Sequence, residues 1–188
     1  MIRVLLAGLA GAIAMFIWVS IAHVMTPLGS MGFSQIPNER PVLDAMQASL
    51  GNHAGMYFFP WVDPKDPQLM QKSAALMKTN PSGLLVYQGP GGKGDMTLML
   101  AHEFVKEFIE ALIAAFLLSL TMLGSYLARA GFVALIGVCT AIATNVSYWI
   151  WYAFSADYTL AQIVIELVGM IVVGLVAAAI VRPRAAQS

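Results

Sequence analysis

The sequence predicts an all-α integral membrane protein, with four transmembrane helices in a bundle and a mixed α/β extracytoplasmic lobe between helices 1 and 2. Three observations predict it. Apolar runs nearly free of charge cover residues 4–22, 108–127, 131–151 and 160–181, each close to the roughly 20 residues a helix needs to cross a hydrocarbon core. Hydrophobic residues make up 59% of the 188-residue chain and charged ones only 11%, where soluble domains carry about 25% charged residues. The insert 27–101 holds half of the charges and all but one of the prolines, so the polar material is concentrated in one place.

The first helix is assigned to 1–26. Arg3, an apolar stretch and Ser20-Ile21-Ala22 imitate a signal peptide. The stretch exceeds the usual 7–15 residues of such a segment, so a retained span is expected. The insert 27–101 is too short to build a generous core by itself. Within it, Asn38 is placed to cap a helix carrying Val42, Ala45, Met46 and Leu50, which Gly51 stops. Residues 54–60 and 83–88 read as two short strands that can pair. A helix through Leu69, Met70, Leu76 and Met77 lies between them, entered by Asp66-Pro67 and closed by Asn80-Pro81. The glycine-rich 89–95 segment departs from a phosphate loop at both ends, with Tyr87 at the first glycine position and Gly94 where Ser or Thr belongs. It is expected to be a linker.

The remaining spans are assigned to 102–128, 129–154 and 158–182, followed by a cytoplasmic tail at 183–188. Arg3, Arg129, Arg182 and Arg184 fall on one side of a four-span chain, and short cytoplasmic loops carry the Lys/Arg excess. Both termini are therefore expected in the cytoplasm, with 27–101 periplasmic in a bacterial inner membrane. Tyr148, Trp149, Trp151, Tyr152 and Phe154 would form an interfacial aromatic belt at the outer end of the third span. Cys139 stands alone, which excludes an intrachain disulfide, and it reads as a packing residue.

Polar residues inside the spans are the chemical signal. Glu103, Glu107 and Glu110 recur at i, i+4 and i+7, on one helix face. Glu110 on the second span, Asn145 on the third, Glu166 and Gln162 on the fourth and Ser20 on the first count to similar depths, predicting an intramembrane polar layer. His23, His102, Glu103, Lys106 and Glu107 are expected as an ionisable cluster at the outer surface. Intramembrane carboxylates are costly and mark pathways, relays or pairing sites. The structural alternative pairs Lys106 with Glu110 at i+4 and Glu166 with Asn145 or a tyrosine.

Metal and cofactor motifs are incomplete. His102-Glu103 has Lys106 where a zinc protease helix has its second histidine, and a composite site of His23, His53, His102 and Glu103 has no supporting spacing. No cofactor and no metal are expected, and the zero net charge gives no reason for nucleic acid. No nucleophile motif is present. The expected function is a non-catalytic accessory, structural or assembly subunit docking on a larger membrane complex, with the lipid bilayer and other membrane subunits or further copies of the chain as partners. The alternative is a small proton- or cation-linked transporter or channel using Glu110 and Glu166. A metal-assisted enzyme at the outer surface ranks third.

Overall fold

The computed structural model describes residues 1–92 and 94–183. Lys93 of the glycine-rich linker and Arg184 of the expected tail lie outside the described residues. The chain is mostly helical and divides into two compact units, Met1–Phe33 with Asp95–Ser188, and Ser34–Gly94.

The first unit contains α1 (Ile2–Met25), α4 (Met96–Ser119), α5 (Tyr126–Ala141), a π-helical segment (Ile142–Val146), α6 (Ser147–Tyr152) and α7 (Ala156–Ile180). Three of its helical stretches, Ile2–Met25, Tyr126–Tyr152 and Ala156–Ile180, are long and apolar enough to cross a membrane. The second expected span, 102–128, differs from its apolar run. Helix α4 begins at Met96, where Asp95 caps the Leu98 N–H, and ends at Ser119. The hydroxyls of Ser119 and Thr121 bond back to the carbonyls of Phe116 and Leu118, taking up two of the helix's last acceptors. Ser125 then caps α5 through the Ala128 N–H. Residues 120–125 are apolar in character yet form the turn.

One buried cluster joins the helices: Ala7, Ala12 and Met15 of α1, Ala111, Ala114, Ala115 and Leu118 of α4, Val133 of α5, and Met170, Val173 and Ala177 of α7. Small residues let the backbones approach, as membrane helices require in place of a hydrophobic driving force. Gly8 lies against Leu112 and Gly11 against Ala111 and Val173, while Phe16 meets Phe104 edge-on. The numbers rise on α1 as they fall on α4, so the two helices are antiparallel. A Cβ on Gly174 would stand 2.6 Å from the Ala130 carbonyl oxygen, so glycine sets the α5–α7 spacing there.

Arg129 secures the same end. The residue is 5% exposed, and its guanidinium donates to the carbonyls of Ala178 (3.0 Å) and Val181. These are carbonyls at the C-terminus of α7, where cations are favoured and acceptors lack intrahelical partners. Arg129 is thus a buried clamp in the first turn of α5. Cys139, expected as a packing residue, lies on an exposed face.

In the second unit, β1 (Gly55–Phe59) and β2 (Gly83–Tyr87) pair antiparallel, Gly55 opposite Tyr87 and Phe59 opposite Gly83. Helices α2 (Glu39–Leu50) and α3 (Leu69–Thr79) have no buried residue. Asn38 occupies the N-cap of α2 without a side-chain bond. Asp66 accepts from the Gln68 N–H and from Lys72 at 2.5 Å. That ammonium, seconded by the Gln68 N–H, holds the Asp66 carboxyl below its ordinary value. Tyr87, the buried residue of this unit, donates its O–H to Gly51 O at 2.8 Å.

Candidate functional site

The site forms where α1 and the α5–α6 stretch finish while α4 and α7 begin. Helix α1 presents Met15, Val19 and His23 at i, i+4 and i+8, and α4 presents Glu103, Lys106 and Glu110 at i, i+3 and i+7. Both are single helical faces. Gln162, Ile165 and Glu166 of α7 and Thr144 and Asn145 of the π segment complete a pocket of about 240 Å³. Glu166 lies about 15 Å along α7 from its first turn, and Glu110 about 21 Å along α4, at 1.5 Å per residue. Because α4 starts before the apolar run does, Glu110 sits deeper along its helix than the sequence suggested.

Local structure explains how Asn145 reaches the pocket. An extra residue in a helical turn rotates the residues beyond it, and such π segments are frequent at functional sites. Asn145 sits inside this one, 9% exposed. Its amide donates to Ala141 O (3.1 Å) and to Glu166 Oε2 (3.3 Å). Nearby, Trp18 donates its indole N–H to Ile165 O at 2.8 Å, tying α1 to α7 beside the pocket. Gly169 leaves room for the Met15 and Trp18 side chains.

Of the expected polar layer, Glu110, Glu166, Asn145 and Gln162 share this pocket. Ser20 lines a neighbouring groove instead, together with Phe16, Met99, His23 and Glu103. His23, Glu103 and Lys106 of the expected surface cluster join the pocket, while His102 is exposed and outside its lining. Lys106 pairs with Glu103 at 2.9 Å rather than with Glu110. His23 donates from Nδ1 to Val19 O at 2.9 Å, which turns Nε2 away from its own backbone.

Glu107 is the main departure. Expected at the outer surface, it is 0% exposed, and neither carboxyl oxygen has a hydrogen-bond partner in the protein. The i, i+4, i+7 spacing spreads three residues over an arc, and Glu107 falls on the side shared with Ala111, Ala114 and Leu118, which face the core. No group of three His, Cys, Asp or Glu side chains suited to a metal occurs among the described residues. The pocket carries three carboxylates and one ammonium, and Lys106 answers Glu103, leaving the charge of Glu110 and Glu166 to other partners.

Three helices able to cross a membrane, in a helix unit with a polar pocket toward one end, are consistent with a polytopic helical membrane protein. Comparison with protein-family models, curated protein sequences and solved structures gives no match.

Proposed function

We propose that this chain is a small proton- or cation-linked membrane transporter or channel in which Glu110 and Glu166 receive the cation. In this reading α4 also crosses the membrane, as the second of four spans. Both termini are cytoplasmic, residues 27–101 are periplasmic, and the membrane is a bacterial inner membrane. The observation that carries the proposal is the convergence of Glu110, Glu166, Asn145 and Gln162 on one pocket from three different helical stretches. Residues spaced through the chain share a cavity that hydrophobic packing alone would have filled with apolar side chains. Asn145 holds one Glu166 oxygen in place, and the other oxygen and the Glu110 carboxylate remain to coordinate a guest.

The binding step is tested by thermal unfolding of the purified full chain in detergent with sodium, potassium or methylammonium chloride, choline chloride serving as the ionic-strength control. A bound cation stabilises the folded state by RT ln(1 + [L]/Kd), about 2.7 kcal/mol at a hundredfold excess over Kd. The expected result is a concentration-dependent rise in Tm with at least one of these cations and its loss in Glu110→Gln/Glu166→Gln. An equal response of the double variant removes these residues from the role.

A second reading, an accessory subunit docking on a larger membrane complex or on further copies of this chain, has its own support. In the Ser34–Gly94 unit, large apolar side chains such as Trp61 (66% exposed) and Met70 (82%) are open to solvent and are available to a partner. Stoichiometric co-purification with other membrane proteins in mild detergent is its expected outcome. Recovery as a lone monomer with a cation response leaves the transporter reading standing alone.

A further inference from the structure

The pocket reading leaves one charged-type side chain without a role. Glu107 lies between two α1–α4 contacts, one turn from Ala111, which meets Gly11, and three residues from Phe104, which meets Phe16 edge-on. It is fully buried with both carboxyl oxygens unpartnered in the protein. Thr159 is the other residue with such an orphaned atom among the described residues, and it carries no titratable group. An ionised carboxylate in that position would be desolvated without compensation. The neutral acid avoids that cost.

We propose that Glu107 is a proton-binding residue, carrying its proton in the closed helix unit and surrendering it when a cation enters the adjoining pocket. The exchange rests on the pocket reading above, whereas the proton on Glu107 rests on its burial alone. The groups that could relay or oppose the proton are few. On α4 itself, Glu103, Lys106 and Glu110 flank Glu107 at i−4, i−1 and i+3, and all three line the pocket. From α1 comes His23, from α7 Glu166, and from the π segment the uncharged Thr144 and Asn145.

The step balances. One O–H bond on Glu107 breaks, and the proton passes by way of the pocket carboxylates to bulk water. The new negative charge is matched by one incoming monovalent cation. No electron moves and no covalent product forms. The proton released for each cation bound is the quantity that makes such a site proton-linked.

Infrared spectroscopy of the full chain, reconstituted in lipid at neutral pH, tests the resting state. The expected result is a protonated-carboxyl carbonyl band that Glu107→Gln removes. Where Glu107→Gln does not fold, Glu107→Asp keeps the acid and shifts the band. Absence of the band, or a band indifferent to residue 107, overturns the proposal. Proton release is then read in a weakly buffered suspension on addition of the cation that gave the Tm shift. Wild type is expected to release about one proton per cation and Glu107→Gln none. Equal release from both overturns the exchange while leaving the pocket intact. Loss of the cation response in Glu110→Gln/Glu166→Gln with the Glu107 band unchanged locates cation and proton on separate residues. If the cation response survives that double change, the pocket reading fails and the proton on Glu107 stands by its own band.

Discussion

The two ends of the helix unit are built from the same apolar sequence and behave oppositely. At the end holding the C-terminus of α7, Gly174 brings α7 against the Ala130 carbonyl, Met170 fills the space over Gly137, and Arg129 answers the last carbonyls. The buried charge there is hydrogen-bonded, and the core between is apolar. At the other end, helices of similar composition leave a pocket of about 240 Å³ whose walls carry Glu103, Glu110 and Glu166, and Glu107 is buried without a partner. Packing density alone decides neither case. The difference teaches that the first end is organised for stability and the second holds unsatisfied chemistry, and residues conflicting with local rules tend to be functional.

Substitutions that respect this division should separate stability from cation response. The largest loss is expected from Gly174→Val, because even a Cβ would collide with backbone at 2.6 Å. Overpacking of this kind costs about 3 kcal/mol, read as a lowered Tm with the cation-induced increment retained in whatever fraction folds. Arg129→Met keeps the apolar stem and removes two charge-assisted bonds to α7 carbonyls. A loss of about 2 kcal/mol is expected, again with the cation increment preserved.

Asn145→Leu inverts the pattern. It removes one donor from Glu166, worth about 1 kcal/mol of stability, yet it should weaken the cation increment more than Gly174→Val or Arg129→Met does. If all three substitutions lower stability and cation response in proportion, the two ends are not functionally distinct.

The smallest effect belongs to Lys72→Ala in the other unit, where the Lys72–Asp66 pair is solvent-exposed. Asp66 has a lowered folded-state value because Lys72 and the Gln68 N–H favour its charged form. The stabilisation is therefore present above the ordinary aspartate titration and is lost as pH falls through the folded value. Amide exchange in the first turn of α3 should rise slightly in Lys72→Ala near neutral pH. The difference should fade in acid, and the cation increment should not change.

Much of this arrangement was legible in the sequence. Counting 1.5 Å per residue put Glu110, Asn145, Glu166, Gln162 and Ser20 at comparable depths; the first four share a pocket, while Ser20 lines a neighbouring groove. The two strands were marked by their Gly and Pro boundaries. Other features had no local signal. Arg129 finds its acceptors 49 and 52 residues away, a relation that hydropathy does not encode. The π segment around Asn145 has the composition of an ordinary helix. Glu107 looked like a surface residue because charge outweighs periodicity in a sequence reading, while its position beside Ala111 and Ala114 on α4 decides its burial. The end of α4 at Ser119 was hidden for a related reason: Leu120 and Met122 in the turn are as apolar as the helix before them.

Flux across a sealed bilayer is the most direct measure of the central claim. Proteoliposomes of the full chain, loaded with a pH-sensitive dye, would receive an inward gradient of the cation that raises Tm. Wild type is predicted to show cation-dependent proton movement above protein-free vesicles, and Glu110→Gln/Glu166→Gln, reconstituted to the same density, is predicted to fall to that background. Equal movement in wild type and the double variant, or none in wild type under a gradient of a cation it demonstrably binds, would contradict the account.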